Sequence, residues 1–202
     1  MPAHPTAQAL LKCCEVPIAA PSANLSGQLS PTRLEHAKSH FNGNVTASLE
    51  GGPCAVGIES TIIGWKGDRA VLLRPGGIAT HLIEEVLGHE CLYPPPTDQP
   101  LAPGMLLCHY APRTKLLFVE RDEIPALEGR WGLLCLKRNG NSRLFSHIEE
   151  LSPTGDLRVA AANLFAALHR LDALELDGIL TSGVPAEGLG IAINDRLRRA
   201  SH

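Results

Sequence analysis

At 202 residues the chain is long enough for one large domain or two small ones. Apolar residues make up 44% and charged residues 19%, which excludes a disordered chain and fits a soluble protein with a core. A net charge of -3 and a pI near 6.3 exclude the broad basic field of proteins that wrap nucleic acid, so small-molecule chemistry fits better.

From the amino terminus, apolar Ala7, Leu10, Leu11 and Cys14 fall at helical spacing and predict a helix over His4 to Glu15. Pro17-Ile18-Ala19-Ala20-Pro21 is short and bounded by proline, so it reads as a buried strand. Ser30-Pro31-Thr32 carries the signals of a helix start, and the helix should run to Phe41. Val45 to Leu49 reads as a strand and Glu50 to Pro53 as a turn. Ser60 to Trp65 and Ala70 to Leu73 predict two strands joined by a turn at Lys66-Gly67-Asp68. Ile78 to Leu87 is a short amphipathic helix that Gly88 can terminate.

The composition then shifts. Tyr93-Pro94-Pro95-Pro96 opens a stiff stretch ending at Pro100, and Leu101 to Pro112 continues without periodicity, which makes residues 91–113 the candidate linker. Beyond it, strands are expected at Leu116 to Val119, Gly132 to Leu136 and Gly178 to Thr181. Helices are expected at Leu157 to Leu171 and Ala192 to Ala200, the last with basic residues in its final turn. Alternating strands and helices point to a small α/β unit with a partly parallel sheet. The six cysteines show no disulfide or zinc spacing and read as buried thiols, with no metal site expected. No stretch approaches the ~20 apolar residues of a membrane span, and the amino terminus lacks a signal-peptide pattern. A cytoplasmic location is expected.

Four segments could carry chemistry. Ser22, Asn24 and Ser26 follow the first expected strand among small residues, where a ligand can approach the backbone. Ser30 and Thr32 then lie at an expected helix start suited to phosphate. The bland alternative is a polar turn with a helix cap. Glu59-Ser60-Thr61 presents hydroxyls suited to an amino-acid substrate, or simply an exposed strand. Arg74 ends a strand before Pro75-Gly76-Gly77 and could clamp a phosphate or form a surface ion pair. Tyr110, an aromatic residue in the linker, is a candidate lid contact.

Taken in order, PIAAPSANLSG, GIESTIIGW, LLRPGGI, PGM with HYAP, and GLGIAINDRLRRA resemble the YrdC-like threonylcarbamoyl-AMP synthase family in its long two-domain form. The resemblance implies a YrdC-like twisted-sheet α/β domain, here partial, over residues 1–90. Residues 91–113 would form a Pro-rich linker, and residues 114–202 a small Rossmann-like α/β domain. It places Met1 inside the family's first domain, so the upstream strands with their phosphate-binding cations are expected to be missing and ATP binding weakened. It further implies a reaction of L-threonine, bicarbonate and ATP, with Mg2+ on the phosphates, giving threonylcarbamoyl-AMP and pyrophosphate. A separate complex would transfer the product to tRNA, with weak or no direct tRNA binding by this chain. Threonine would contact Ala20 and Ser60. ATP would contact Ser22, Asn24, Ser30 and Arg74, with Tyr110 folding over the pocket. A second reading is a truncated, non-catalytic binding or interaction module.

Overall fold

The computed structural model describes residues 2–41, 43–94, 102–106, 108–120, 124–138 and 144–202. Helix α1 spans Pro5–Cys13 and α2 spans Leu34–Phe41. An antiparallel hairpin follows, made by β1 (Ile62–Lys66) and β2 (Arg69–Arg74). Its turn falls at the expected place, with Gly67 at φ 58, a conformation glycine adopts without a Cβ penalty. Helix α3 (Thr80–Leu87) packs Ile83 and Leu87 against Ala70, Leu72 and Ile63 of the hairpin. It ends at Gly88 in the left-handed region, whose amide donates to the Glu84 carbonyl at 2.8 Å.

The second half is built on a four-stranded, fully parallel sheet in the order β3-β6-β4-β5. The strands are β3 (Leu116–Val119), β4 (Trp131–Cys135), β5 (His147–Glu150) and β6 (Gly178–Ser182), with α4 (Leu157–Asp172) after β5 and α5 (Gly190–Ala200) after β6. Alternation along the strands splits the side chains between two faces. Leu134 and Ile179 face a core with Leu164, Phe165, Leu168, Ile193 and Leu197 of the two helices. Their neighbours Leu133 and Leu180 face the other side, covered by Ile124, Leu127 and Phe145. Asp156 caps α4 by accepting from the Arg158 and Val159 amides, a role its short carboxylate suits.

The chain is thus a mixed α/β protein with a parallel sheet. It departs from a regular Rossmann-like unit in one respect. Helix α4 alone crosses between consecutive strands, and no α-helix links β3 to β4 or β4 to β5 among the described residues.

Several expectations fail in the first half. Residues 17–21 and 45–49 form no strand and are exposed, with Ile18 at 45% and Leu49 at 58%. A strand exists through its ladder, and no described neighbour offers these segments one. Helix α2 begins at Leu34 rather than at Ser30, because Thr32 donates its amide to His36 Nδ1 and Ser30 is drawn away into a buried contact. In the second half, β5 is an additional strand. Only Cys91 of the six cysteines is fully buried, since Cys13, Cys54 and Cys108 are exposed. Residues 95–101 and 107 of the linker lie outside the described residues.

Candidate functional site

Ser30, Glu59-Ser60, Arg74-Pro75 and Tyr110, distant in sequence, converge on one buried seam between the hairpin and the second half. At its centre is Arg74, the last residue of β2, which is 8% exposed. Its Nε donates to the Ser60 carbonyl at 3.0 Å, one terminal nitrogen donates to Ser60 Oγ at 3.0 Å, and the other donates to the Pro103 carbonyl at 3.2 Å. The guanidinium is therefore neither a surface ion-pair partner nor a free phosphate clamp in this conformation. It fastens Ser60 to the strand end and to the 102–106 segment.

Close packing accounts for the two glycines of Arg74-Pro75-Gly76-Gly77. A Cβ on Gly76 would stand 2.4 Å from the Glu59 carbonyl oxygen and from the Ser60 carbonyl carbon, so only hydrogen fits. Gly77 donates its amide to the Glu59 carbonyl at 2.9 Å, and Thr61 Oγ1 donates to the Ile78 carbonyl at 2.7 Å. The two motifs form one unit. Gly57, at φ 74, lets the same loop reach α4, since a Cβ there would meet the Ala161 and Ala162 backbone at 2.5 Å.

Glu59 is the second centre. Its Oε1 accepts from Ser30 Oγ and its Oε2 accepts from Arg196 Nε of α5 at 2.8 Å. Burial alone pushes this carboxyl up, but Arg196 and the Ser30 hydroxyl outweigh it and hold it below its ordinary value. The Ser30 carbonyl accepts from His169 Nε2 of α4 at 3.1 Å, so both ends of Ser30 are held.

Tyr110 sits inside the core at 2% exposure, 5.7 Å from the Phe165 ring, with the Arg196 guanidinium 4.8 Å from its ring centre. Its φ of 63 is unusual for a residue with a side chain. Burial raises its hydroxyl pKa. The neighbouring His109 is lowered, first by burial and then by the surrounding arginines. The strap that carries Tyr110 is tied down on both sides of that residue. Arg199 donates to the Met105 and Leu106 carbonyls, the His109 amide donates to the Arg199 carbonyl, and the Ala111 amide donates to the Gly27 carbonyl.

Ala20 and Ser22 are exposed and Asn24 half-buried in a surface loop that shares no side-chain hydrogen bond with this cluster among the described residues. Ser22 Oγ donates to Asn24 Oδ1, and Asn24 Nδ2 donates to the Gln28 carbonyl at 3.0 Å. That bonding shapes the turn, and the Gly27–Ala111 contact connects it to the strap. The structure thus brings Ser30, Ser60, Arg74 and Tyr110 together and leaves Ala20, Ser22 and Asn24 on the rim. The residue that sequence reasoning overlooked is Arg196. Its only signal was a run of cations in the last helix, where helix-end charge accounts for the neighbouring Arg198 and Arg199 equally well. Among the described residues no three His, Cys, Asp or Glu side chains group to hold a metal ion, and no helix is long and apolar enough to cross a membrane.

Comparison with known proteins gives this geometry a family. A profile described as Threonylcarbamoyl-AMP synthase, C-terminal domain, matches residues 78–202, and one described as Telomere recombination matches residues 1–76. Threonylcarbamoyl-AMP synthases of Pyrococcus abyssi and Bacillus subtilis are 39% and 36% identical to it over all of this chain. The chain spans 62% of the length of each of these relatives. The crystal structure of Pyrococcus abyssi Sua5 complexed with L-threonine superposes with a TM-score of 0.85 at 35% identity, covering 100% of this chain and 62% of that one. With a family profile covering more than half of its residues, the chain belongs to the threonylcarbamoyl-AMP synthase family.

Proposed function

We propose that this chain forms part of the site that joins L-threonine, bicarbonate and ATP into threonylcarbamoyl-AMP with release of pyrophosphate. The threonine amine captures carbon dioxide from bicarbonate as a carbamate. A carbamate oxygen then bonds to the α-phosphorus of ATP while the bond to pyrophosphate breaks, so no covalent enzyme intermediate is required. The protein's part is positioning and charge stabilisation. Magnesium would enter with the nucleotide, on its phosphates.

The observation that carries this reading is the Ser60–Arg74 pair, a hydroxyl and a guanidinium from two motifs locked together beside Ser30. Ala20 and Ser60 are assigned to threonine, and Ser22, Asn24, Ser30 and Arg74 to ATP. Tyr110 closes over the nucleotide. For Arg74 and Tyr110 these roles require rearrangement, since both are engaged inside the seam. The assignment divides the chain into a threonine- and nucleotide-binding part (1–90), a strap (91–113) and a supporting α/β part (114–202). A cytoplasmic setting, and onward transfer of the product to tRNA by a separate complex, complete the reading.

The test is pyrophosphate release by the purified chain with threonine, bicarbonate and ATP each omitted in turn. Release that needs all three is the expected result. Release without threonine, or none from folded protein, would remove the synthase reading for this chain.

A further inference from the structure

Arg196 is 1% exposed and its guanidinium is held on every side. Nε donates to Glu59 Oε2 at 2.8 Å, one terminal nitrogen donates to the Pro75 carbonyl at 3.0 Å, and the other donates to the adjacent Asp195 carboxylate. Tyr110 covers its face. Burying an ion pair in this way contributes little net stability, because desolvation offsets most of the attraction, and apolar side chains would pack the same volume as well. The value of the arrangement lies in what it orients.

Glu59 is the residue before Ser60, and Pro75 is the residue after Arg74. Arg196 therefore grips both chain segments one residue outside the Ser60–Arg74 pair. Through the second oxygen of Glu59 it also fixes the Ser30 hydroxyl. We infer that Arg196, from the far end of the second half, is a positioning residue for the substrate loops of the first half. It sets Ser60, Arg74 and Ser30 in register without touching substrate. The inference deepens the proposed function and rests on its assignment of those residues. It also gives the second half a task, since α5 aims one planar, multidentate group at two loops and holds a third, that of Ser30, through Glu59. A lysine cannot repeat this, because its ammonium is a single point of charge rather than a rigid fork.

The test compares the whole chain with its Arg196→Lys and Glu59→Gln variants, both near in size to the native side chains. Hydrogen exchange is read at the Gly77 and Ile78 amides, which donate to the Glu59 carbonyl and to Thr61 Oγ1. The Leu151 and Ile179 amides of the parallel-sheet half serve as internal controls. In both variants, Gly77 and Ile78 should exchange about tenfold faster relative to the controls. L-Threonine affinity, measured by calorimetry, should fall about tenfold in step. Exchange at Gly77 and Ile78 that is unchanged, or that rises only as much as at the controls, would reduce Arg196 to a structural ion pair and overturn the inference. Loosened loops in a chain whose native form binds no threonine would support the positioning role and remove the functional assignment instead.

Discussion

Helices α1 and α4 are both amphipathic in sequence, yet α4 buries Leu164, Phe165, Leu168 and Leu171 completely while α1 buries nothing. The same contrast runs through the two halves. In residues 114–202 helices and loop residues cover both faces of a sheet, whereas the first half exposes Ile18, Leu49, Trp65, Leu82 and Val86 around one hairpin. Amphipathic spacing states which face a helix can bury, but a second surface must be there to receive it. The first half acquires its order at the seam, where its motif loops lean on α4 and α5.

This comparison can be broken most directly in the core of α4. Phe165→Ala should cost about 3–5 kcal/mol in urea unfolding, as expected for an aromatic residue removed from a filled interior. A loss below ~1 kcal/mol would mean that α4 does not organise the second half. Next comes the seam. Gly57→Ala places a methyl group against the α4 backbone and strains a left-handed residue, so a loss of about 1–3 kcal/mol is expected, with faster proteolysis of the first half.

A pH titration sharpens the picture at the α2–α4 contact. His36 stacks on His169 with ring centres 3.8 Å apart, and His40 approaches His169 edge-on at 6.0 Å. Burial, then the charge of His169, lower the His36 pKa from 6.5 to about 4, with Glu35 opposing and Arg33 and Arg170 adding to the effect. The folded state thus stays neutral at His36 while the unfolded chain takes up a proton. Stability present above pH 6.5 should decline as the pH falls and be lost below about 4. His36→Gln should flatten that decline in urea midpoints measured across the range, and an unchanged slope would place the pH response elsewhere.

Two smaller effects complete the contrast. Asp156→Ala should cost about 1 kcal/mol by uncapping α4. Leu10→Ala, on exposed α1, should stay within about 0.5 kcal/mol. A Leu10 effect as large as that of Asp156 would show that α1 has a packing surface in solution.

Local signals were strong where the chain closes its own structure. The hairpin turn at Gly67, the end of α3 at Gly88 and α4 from Leu157 to within a residue of its end were all legible, because each depends on backbone conformation or side-chain spacing within a few residues. Strand β5 was missed because His147-Ile148-Glu149-Glu150 is short and polar, and only pairing with β4 makes it a strand. The segments at 17–21 and 45–49 failed in the opposite sense, having strand-like residues and no partner strand among the described residues.

By itself the sequence determined strands β3, β4 and β6 and helices α4 and α5 of the second half, the turn and cap glycines, and the ordered motifs that mark the family. The tertiary structure alone decided that Arg74 holds Ser60 rather than facing solvent, that Tyr110 lies in the core, and that Arg196 joins the halves through Glu59. Glu59 and Arg196 stand 137 residues apart. A pairing at that separation leaves no periodic trace, because it depends on where two folded surfaces meet and on the cost of burying a charge without its partner.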